Sequence, residues 1–203
     1  MPDILKFCLS LGLICAISGG SMAFVNHITS QPRAEAQMRE RNELLKLVLP
    51  AGTRQCQELE SVNNVQFFAA RDENGKLLAY AAEGSSRQGF GGELKVLVGL
   101  SAEGKILAVL VNQHSETPGI GTLVCERKQK QSLWKVLAGK SEKNPFPANA
   151  FLDSFASQSL NENLRVDAVS GATVSSNAVL DAVNAVAGAW QEKFAAVSKT
   201  EEP

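Results

Sequence analysis

The feature that most constrains this chain is Phe7 to Val25, FCLSLGLICAISGGSMAFV, 19 residues without a charged side chain. A helix needs about 20 apolar residues to cross the hydrocarbon core of a bilayer. Gly12, Gly19 and Gly20 are compatible with that, since membrane helices carry more glycine than soluble ones. Two readings are open. One is a cleaved signal peptide, with Lys6 as its basic start and Ser21-Met22-Ala23 as a small-x-small cleavage site. The other is an uncleaved single-span anchor. Cys15 is no lipid-attachment site, because large residues stand in Gly12-Leu13-Ile14 where small ones are required. The charge bias, Lys6 before the span against Arg33, Arg39 and Arg41 after it, points weakly to a cytoplasmic body.

The remainder has ordinary globular chemistry. Of 203 residues, 20 are Lys or Arg and 21 Asp or Glu, a formal charge of −1, which excludes a polybasic nucleic-acid binder. An apolar fraction of 44% excludes an acidic disordered tail. The chain beyond the span has room for one domain of about 150 residues, enough to bury a core. His27 and His114 are the only histidines, which excludes a multi-His metal site. Cys8 and Cys15 fall in the span, and Cys56 and Cys125 in the body, where an oxidising compartment would permit one disulfide.

Periodicity divides the body into elements. Residues 28–49 read as an amphipathic helical stalk with an apolar strip at Leu44, Leu45, Val48 and Leu49, stopped by Pro50-Ala51-Gly52. Val65–Ala70 and Leu77–Ala82 flank Asn74-Gly75, the strongest short hairpin signal. Leu94–Leu100 and Lys105–Val111 repeat the pattern around Ser101–Gly104, giving four antiparallel strands in two hairpins over about 65–112. Between the hairpins, Gly84–Gly92 reads as a glycine-rich loop, either a flexible connection or a place where backbone approaches a ligand. Next come a helix over Thr122–Leu137, a loop over 138–150, a weak helix over Phe151–Leu160 and a short strand over Arg165–Val169. Ser175-Ser176-Asn177 reads as the cap of a last helix, with a core stripe of Val179, Val183, Val186, Trp190, Phe194 and Val197. The order of elements after the N-terminal span predicts an α+β fold, an antiparallel sheet with packed helices; where the span is retained, it is a single N-terminal transmembrane helix. The expected divisions are an anchor over 1–27, a stalk over 28–52 and a domain over 53–203.

No known catalytic constellation is present: no G-x-S-x-G elbow, phosphate loop or dinucleotide fingerprint. Two turns stand out instead. In Asp167-Ala168-Val169-Ser170-Gly171-Ala172-Thr173 a strand runs through small residues into a helix N-terminus, where free amides and the helix dipole favour a phosphate. The plain alternative is an N-capping turn. In His114-Ser115-Glu116-Thr117-Pro118-Gly119 a rigid turn carries a carboxylate and a hydroxyl that can hydrogen-bond a planar ring. Its plain alternative is a type II Pro-Gly turn with solvated neighbours.

Taken together, the glycine-rich Gly-Phe-Gly-Gly loop, the H-x-E-T-P-G turn and D-x-x-S-G-A-T before a helix resemble the FMN-binding domain of the G subunit of Rnf (Rsx) electron-transport complexes. They are similar, too, to the C subunit of sodium-pumping NADH:quinone oxidoreductases. The resemblance covers nearly the whole chain, including the span and stalk, and favours a retained anchor. It implies FMN joined through its phosphate to the hydroxyl of Thr173, with Asp167, Ser170, Gly171 and Ala172 on the other motif positions. It implies that Glu116, Thr117, Pro118 and Gly119 pack against the flavin, and that Gly91 and Gly92, in the family's Gly-aromatic-Gly-Gly loop, also bind the cofactor. Nothing near Thr173 would activate its hydroxyl, so a separate flavin transferase using FAD is the implied maturation partner. The family places this domain on the periplasmic face of the bacterial inner membrane, against the charge bias. The implied role is an electron carrier, without substrate turnover of its own, in a complex coupling ferredoxin–NAD electron transfer to Na⁺ or H⁺ movement. The length suits the Rnf subunit better than its longer sibling. The other readings are a periplasmic binding module in which Ser-Gly-Ala-Thr merely caps a helix, and a soluble flavin reductase with dissociable cofactor.

Overall fold

The computed structural model describes residues 2–127 and 146–198. The chain divides into two compact units, Met1–Glu43 and Leu44–Pro203.

The first unit is helical. Helix α1 runs over Pro2–Val48, and Ile4–Ser30 within it is long and apolar enough to cross a membrane, with mean hydropathy 1.9 and no burial against protein. The hydroxyls of Ser10, Ser21 and Thr29 donate to Phe7, Ile17 and Val25 carbonyl oxygens of the preceding turn at 2.7–3.0 Å. Such self-satisfaction lets a helix carry hydroxyls where no water can solvate them.

The second unit is built on a five-stranded antiparallel meander: β1 (Gln55–Glu58), β2 (Gln66–Arg71), β3 (Leu77–Gly89), β4 (Gly92–Leu100) and β5 (Ile106–Gln113), in spatial order 1-2-3-4-5. After it come two single-turn helices, α2 (Thr122–Cys125) and α3 (Ala150–Asp153), and the long α4 (Thr173–Ser198). This is the α+β, antiparallel arrangement that the alternating patterns imply. Alternation along the strands sends Ala82, Val96, Val98, Val109 and Val111 to one face, where Val179, Val183, Val186 and Trp190 of α4 cover them. Phe194 packs partly buried against the same core. The side chain of Val197 lies outside the described residues. The opposite face presents Phe68, Ala79, Ala81, Leu97 and Leu110, which Leu45, Val48 and Leu49 bury. The apolar strip at the end of the stalk is thus a core element of the second unit.

Several local expectations are corrected. Instead of four strands there are five, because Gln55–Glu58 pairs with the edge of β2 through Gln55↔Arg71 to Glu58↔Phe68. The glycine- and serine-rich stretch 84–92 is mostly strand: Gly84↔Val96, Ser85↔Lys95 and Ser86↔Leu94 extend the β3–β4 ladder to a turn closed by Gly89↔Gly92. Small residues here answer to packing, since a Cβ on Gly84 would stand 2.7 Å from Val186 of α4. Arg165–Val169 forms no strand. Its backbone is held by side chains, with Gln158 bridging the Arg165 N–H and carbonyl and Ser176 Oγ accepting from Val169 N–H. The helix beginning at Thr122 ends at Cys125, where Glu126 is already extended (φ −102°, ψ 137°). Residues 128–145, with the rest of that expected helix and most of the following loop, lie outside the described residues. The expected helix over Phe151–Leu160 is one turn, capped by Asn149 and followed by Ser157 at positive φ.

One buried cation ties these short elements to the sheet. Arg127, its side chain 4% exposed, donates to Asp153 Oδ1 at 2.7 Å, to the Pro147 carbonyl and to the Val109 carbonyl of β5. It also stacks 3.9 Å from the Phe146 ring centroid. Arg127→Met keeps the stem volume and removes all three bonds. We expect a loss of about 2 kcal/mol, the scale of hydrogen bonds to a charged group, read as a lower urea midpoint with unchanged slope.

Candidate functional site

Three segments distant in sequence meet where β3 turns into β4 and where β5 ends. The first is the tight turn Gly89–Gly92. The second is the segment after β5. Here Ile120 N–H donates to the Thr117 carbonyl at 3.3 Å across Pro118 and Gly119, and Gly119 has φ +83°. This is the type II turn that Pro followed by Gly favours. Gly119 N–H is taken by Thr122 Oγ1 at 2.9 Å, locking the turn onto α2. The third is Val169–Ala172, closed by Ala172 N–H to the Val169 carbonyl at 2.9 Å, with Gly171 at φ +81°. It delivers Thr173 as the first residue of α4, with its side chain exposed.

Glu116 joins the three. It is 5% exposed, accepting from Ser175 Oγ at 2.7 Å through Oε2 and from Gly91 N–H at 3.3 Å through Oε1. Glycine is required around it. A Cβ on Gly91 would stand 1.9 Å from the Ser115 carbonyl oxygen, and one on Gly121 2.6 Å from Glu116 Oε2 and 2.9 Å from Ser175 Oγ. His114 Nδ1 accepts from the Glu116 N–H at 3.3 Å, and its Nε2 faces Glu126 Oε1 at 3.9 Å.

The start of α4 differs from expectation. The helix begins at Thr173, so Ser175-Ser176-Asn177 is its first turn and not its cap. Ser175 donates to Glu116, while Ser176 Oγ donates to the Ala172 carbonyl at 2.9 Å and accepts from Val169 N–H at 3.0 Å. Both hydroxyls are committed to anchoring the helix, which leaves them no part in capping its first amides, groups that have no intrahelical acceptor.

Between the segments lies a cleft of about 480 Å³. Glu116, Thr117, Gly171, Ala172 and Thr173, all singled out in the sequence, line it. Pro118 and Gly119 build the turn that carries Thr117, Gly91 donates to Glu116, and Gly92 closes the hairpin opposite Gly89. Asp167 and Ser170 are exposed on the approach to the third turn and are absent from the wall. Sequence reasoning missed Phe90, Ile120, Gly121, Val174 and Ser175 as wall residues. Phe90, Ile120 and Val174 are 72%, 53% and 51% exposed. Large apolar residues flanking turn glycines were the available signal, since a solvated turn has no use for them.

Cys125 sits behind the site at the end of α2, buried and free, and Cys56 is a free, exposed thiol on β1. Burial, and then the nearby charges of Glu116 and Glu126, push the Cys125 thiol from 9.0 up to about 12. The folded state therefore holds this proton more tightly than the unfolded state does. Its contribution to stability is complete below pH 9 and is lost as pH rises towards 12. Partial burial also raises the Cys56 thiol, against the lowering effect of Lys46, so native protein at pH 8 is expected to alkylate slowly at Cys56 and to spare Cys125 until denatured, which peptide mapping after iodoacetamide reads directly.

Comparison with known proteins decides the family. Residues 89–188, which contain all three segments, match the model of the FMN-binding domain. The G subunit of the ion-translocating oxidoreductase complex of Pseudomonas aeruginosa is 30% identical over 196 residues, covering 90% of this chain and 86% of that protein. The chain belongs to the G-subunit family of ion-translocating oxidoreductase complexes. A further member, the G subunit of the proton-translocating ferredoxin:NAD(+) oxidoreductase complex of Clostridium ljungdahlii, is 29% identical, covering 59% of this chain and 62% of that one. The crystal structure of Shewanella oneidensis NqrC superposes with a TM-score of 0.49 at 18% identity, covering 76% of this chain and 73% of that one.

Proposed function

We propose that this chain is the membrane-anchored flavoprotein subunit of an Rnf-type complex, carrying electrons between ferredoxin and NAD on an FMN joined as a phosphoester to Thr173. The observation that carries this reading is the exposed Thr173 at the N-terminus of a 26-residue helix, on the wall of a cleft inside the segment that matches the FMN-binding domain. The residues suit the group. A cleft of about 480 Å³ lies within the ~300–1,000 Å³ usual for cofactor-sized ligands. Phe90, Ile120 and Val174 offer apolar surface to a planar ring. The first amides of α4 and its dipole suit a phosphate diester beside Thr173.

FMN supplies the redox chemistry when bound, and the protein supplies orientation and electrostatics. Thr173 tethers the cofactor. Gly171 and Ala172 keep side-chain bulk away from the backbone beside it. Glu116 and Ser175 fix the helix start relative to the turn of Thr117. Attachment would fall to a flavin transferase, which would supply the base that takes the Thr173 hydroxyl proton as AMP leaves FAD. In this reading the span of α1 is retained, and the flavin domain faces the periplasm among multi-span and iron–sulfur partner subunits.

Intact mass tests the reading. Chain co-produced with a flavin transferase should gain one FMN, and the yellow colour should follow the pellet on acid precipitation. An unmodified mass would favour a non-redox binding module, and colour left in the supernatant a dissociable-flavin reductase.

A further inference from the structure

The polar contacts of Glu116 do not require a carboxylate rather than an amide. Its two donors, the Ser175 hydroxyl and the Gly91 amide, are both neutral. Among the described residues no Lys or Arg lies within ion-pair distance of it. His114 turns its Nε2 to Glu126 instead. A glutamine has the same shape and can satisfy both partners through its amide and a rotated serine hydroxyl. Burying a carboxylate without a countercharge is costly where a neutral isostere would pack equally well. The charge is thus dispensable for holding the segments together, and it lies on the wall of the cleft.

We infer that the Glu116 carboxylate is the positioning charge that poises a flavin in this cleft, its fixed negative charge opposing electron uptake and lowering the midpoint potential. The inference rests on the FMN reading above. A unit charge that is itself 5% exposed on the cleft wall is screened less than a surface charge, and a ring gaining electron density beside it is disfavoured relative to the oxidised ring.

The test is a dye-coupled redox titration at pH 7 of the detergent-solubilised, FMN-loaded full chain, as wild type, Glu116→Gln and Glu116→Asp. Glu116→Gln should favour the reduced flavin at least tenfold, a rise of about 30 mV for a two-electron couple. Glu116→Asp retains the charge and should stay within about threefold of wild type by the same Coulomb argument. Equal potentials for wild type and Glu116→Gln would overturn the inference, as would an equal rise in Glu116→Asp, which would assign the effect to geometry. Flavin loading by Glu116→Asp but not by Glu116→Gln would overturn it too, making the charge an attachment requirement. So would the failure of both variants to fold, which would make the residue a structural anchor. A wild-type chain without FMN refutes the underlying cofactor reading; a loaded wild type with unshifted variants refutes only the role of Glu116.

Discussion

Thr173→Val is expected to give a folded protein with no covalent flavin. The side chain is exposed on the first residue of α4, and no hydrogen bond of the fold runs through its hydroxyl among the described residues. The helix start is held by its neighbours: Ser175 on Glu116, Ser176 on the Val169–Ala172 turn, and Ala172 in the core. Valine has nearly the volume of threonine, so the stability change should stay within about 0.5 kcal/mol, as for surface positions generally. The loss of covalent cofactor should be complete, because valine offers no oxygen at this position to esterify. In-gel fluorescence after denaturation, with circular dichroism to confirm the fold, reads both halves. Fluorescent flavin persisting on the variant would place the attachment elsewhere and remove the basis of the electron-carrier reading.

Gly91→Ala is expected to damage fold and site together. Its Cβ would stand 1.9 Å from the Ser115 carbonyl oxygen and 2.9 Å from the Glu116 nitrogen, both backbone atoms that cannot rotate away. The turn must lift, withdrawing the Gly91 donor from Glu116 and moving Phe90 off the cleft wall. Overpacking of this kind costs about 1–3 kcal/mol, or some 2–4 °C of melting temperature per kcal/mol in a domain of this size. Covalent flavin should fall at least tenfold in the same preparation, on the scale by which small misplacements reduce reaction. Gly188→Ala is the matched control. A Cβ there meets nothing within 4 Å, on an exposed face of α4. Replacing a helical glycine by alanine should raise stability by about 0.5–1 kcal/mol and leave loading unchanged. Equal behaviour of the two variants would refute the packing role of Gly91.

The features legible in the sequence are those set by periodicity. The uncharged run at 7–25, the alternation of β2 to β5, the Asn74-Gly75 turn and the stripe on α4 each depend on a repeat that burial imposes on residue type. The features that escaped depend on contacts between remote segments. The glycines of 84–92 read as a loop because glycine is rich in loops, yet Gly84 is small to admit Val186, a residue a hundred positions away. The strand expected over Arg165–Val169 had the right alternation, but Gln158 and Ser176 occupy its backbone groups. Edge strand β1 is four exposed residues with no apolar pattern to betray it. At the site, Thr173 and Glu116 stood out because they sit in compact motifs. Phe90 and Val174 join the same wall only through the fold, one on a hairpin tip and the other on a helix face.

Because Glu116 gathers its own proline turn with a hairpin tip and a helix start that lie 25 and 59 positions from it along the chain, the cleft is complete only once all three have come together. Maturation by an enzyme that must meet Thr173 in this setting would discriminate native from non-native chains. On the proposed attachment to Thr173, the yellow fraction of a preparation would serve as a count of correctly finished molecules.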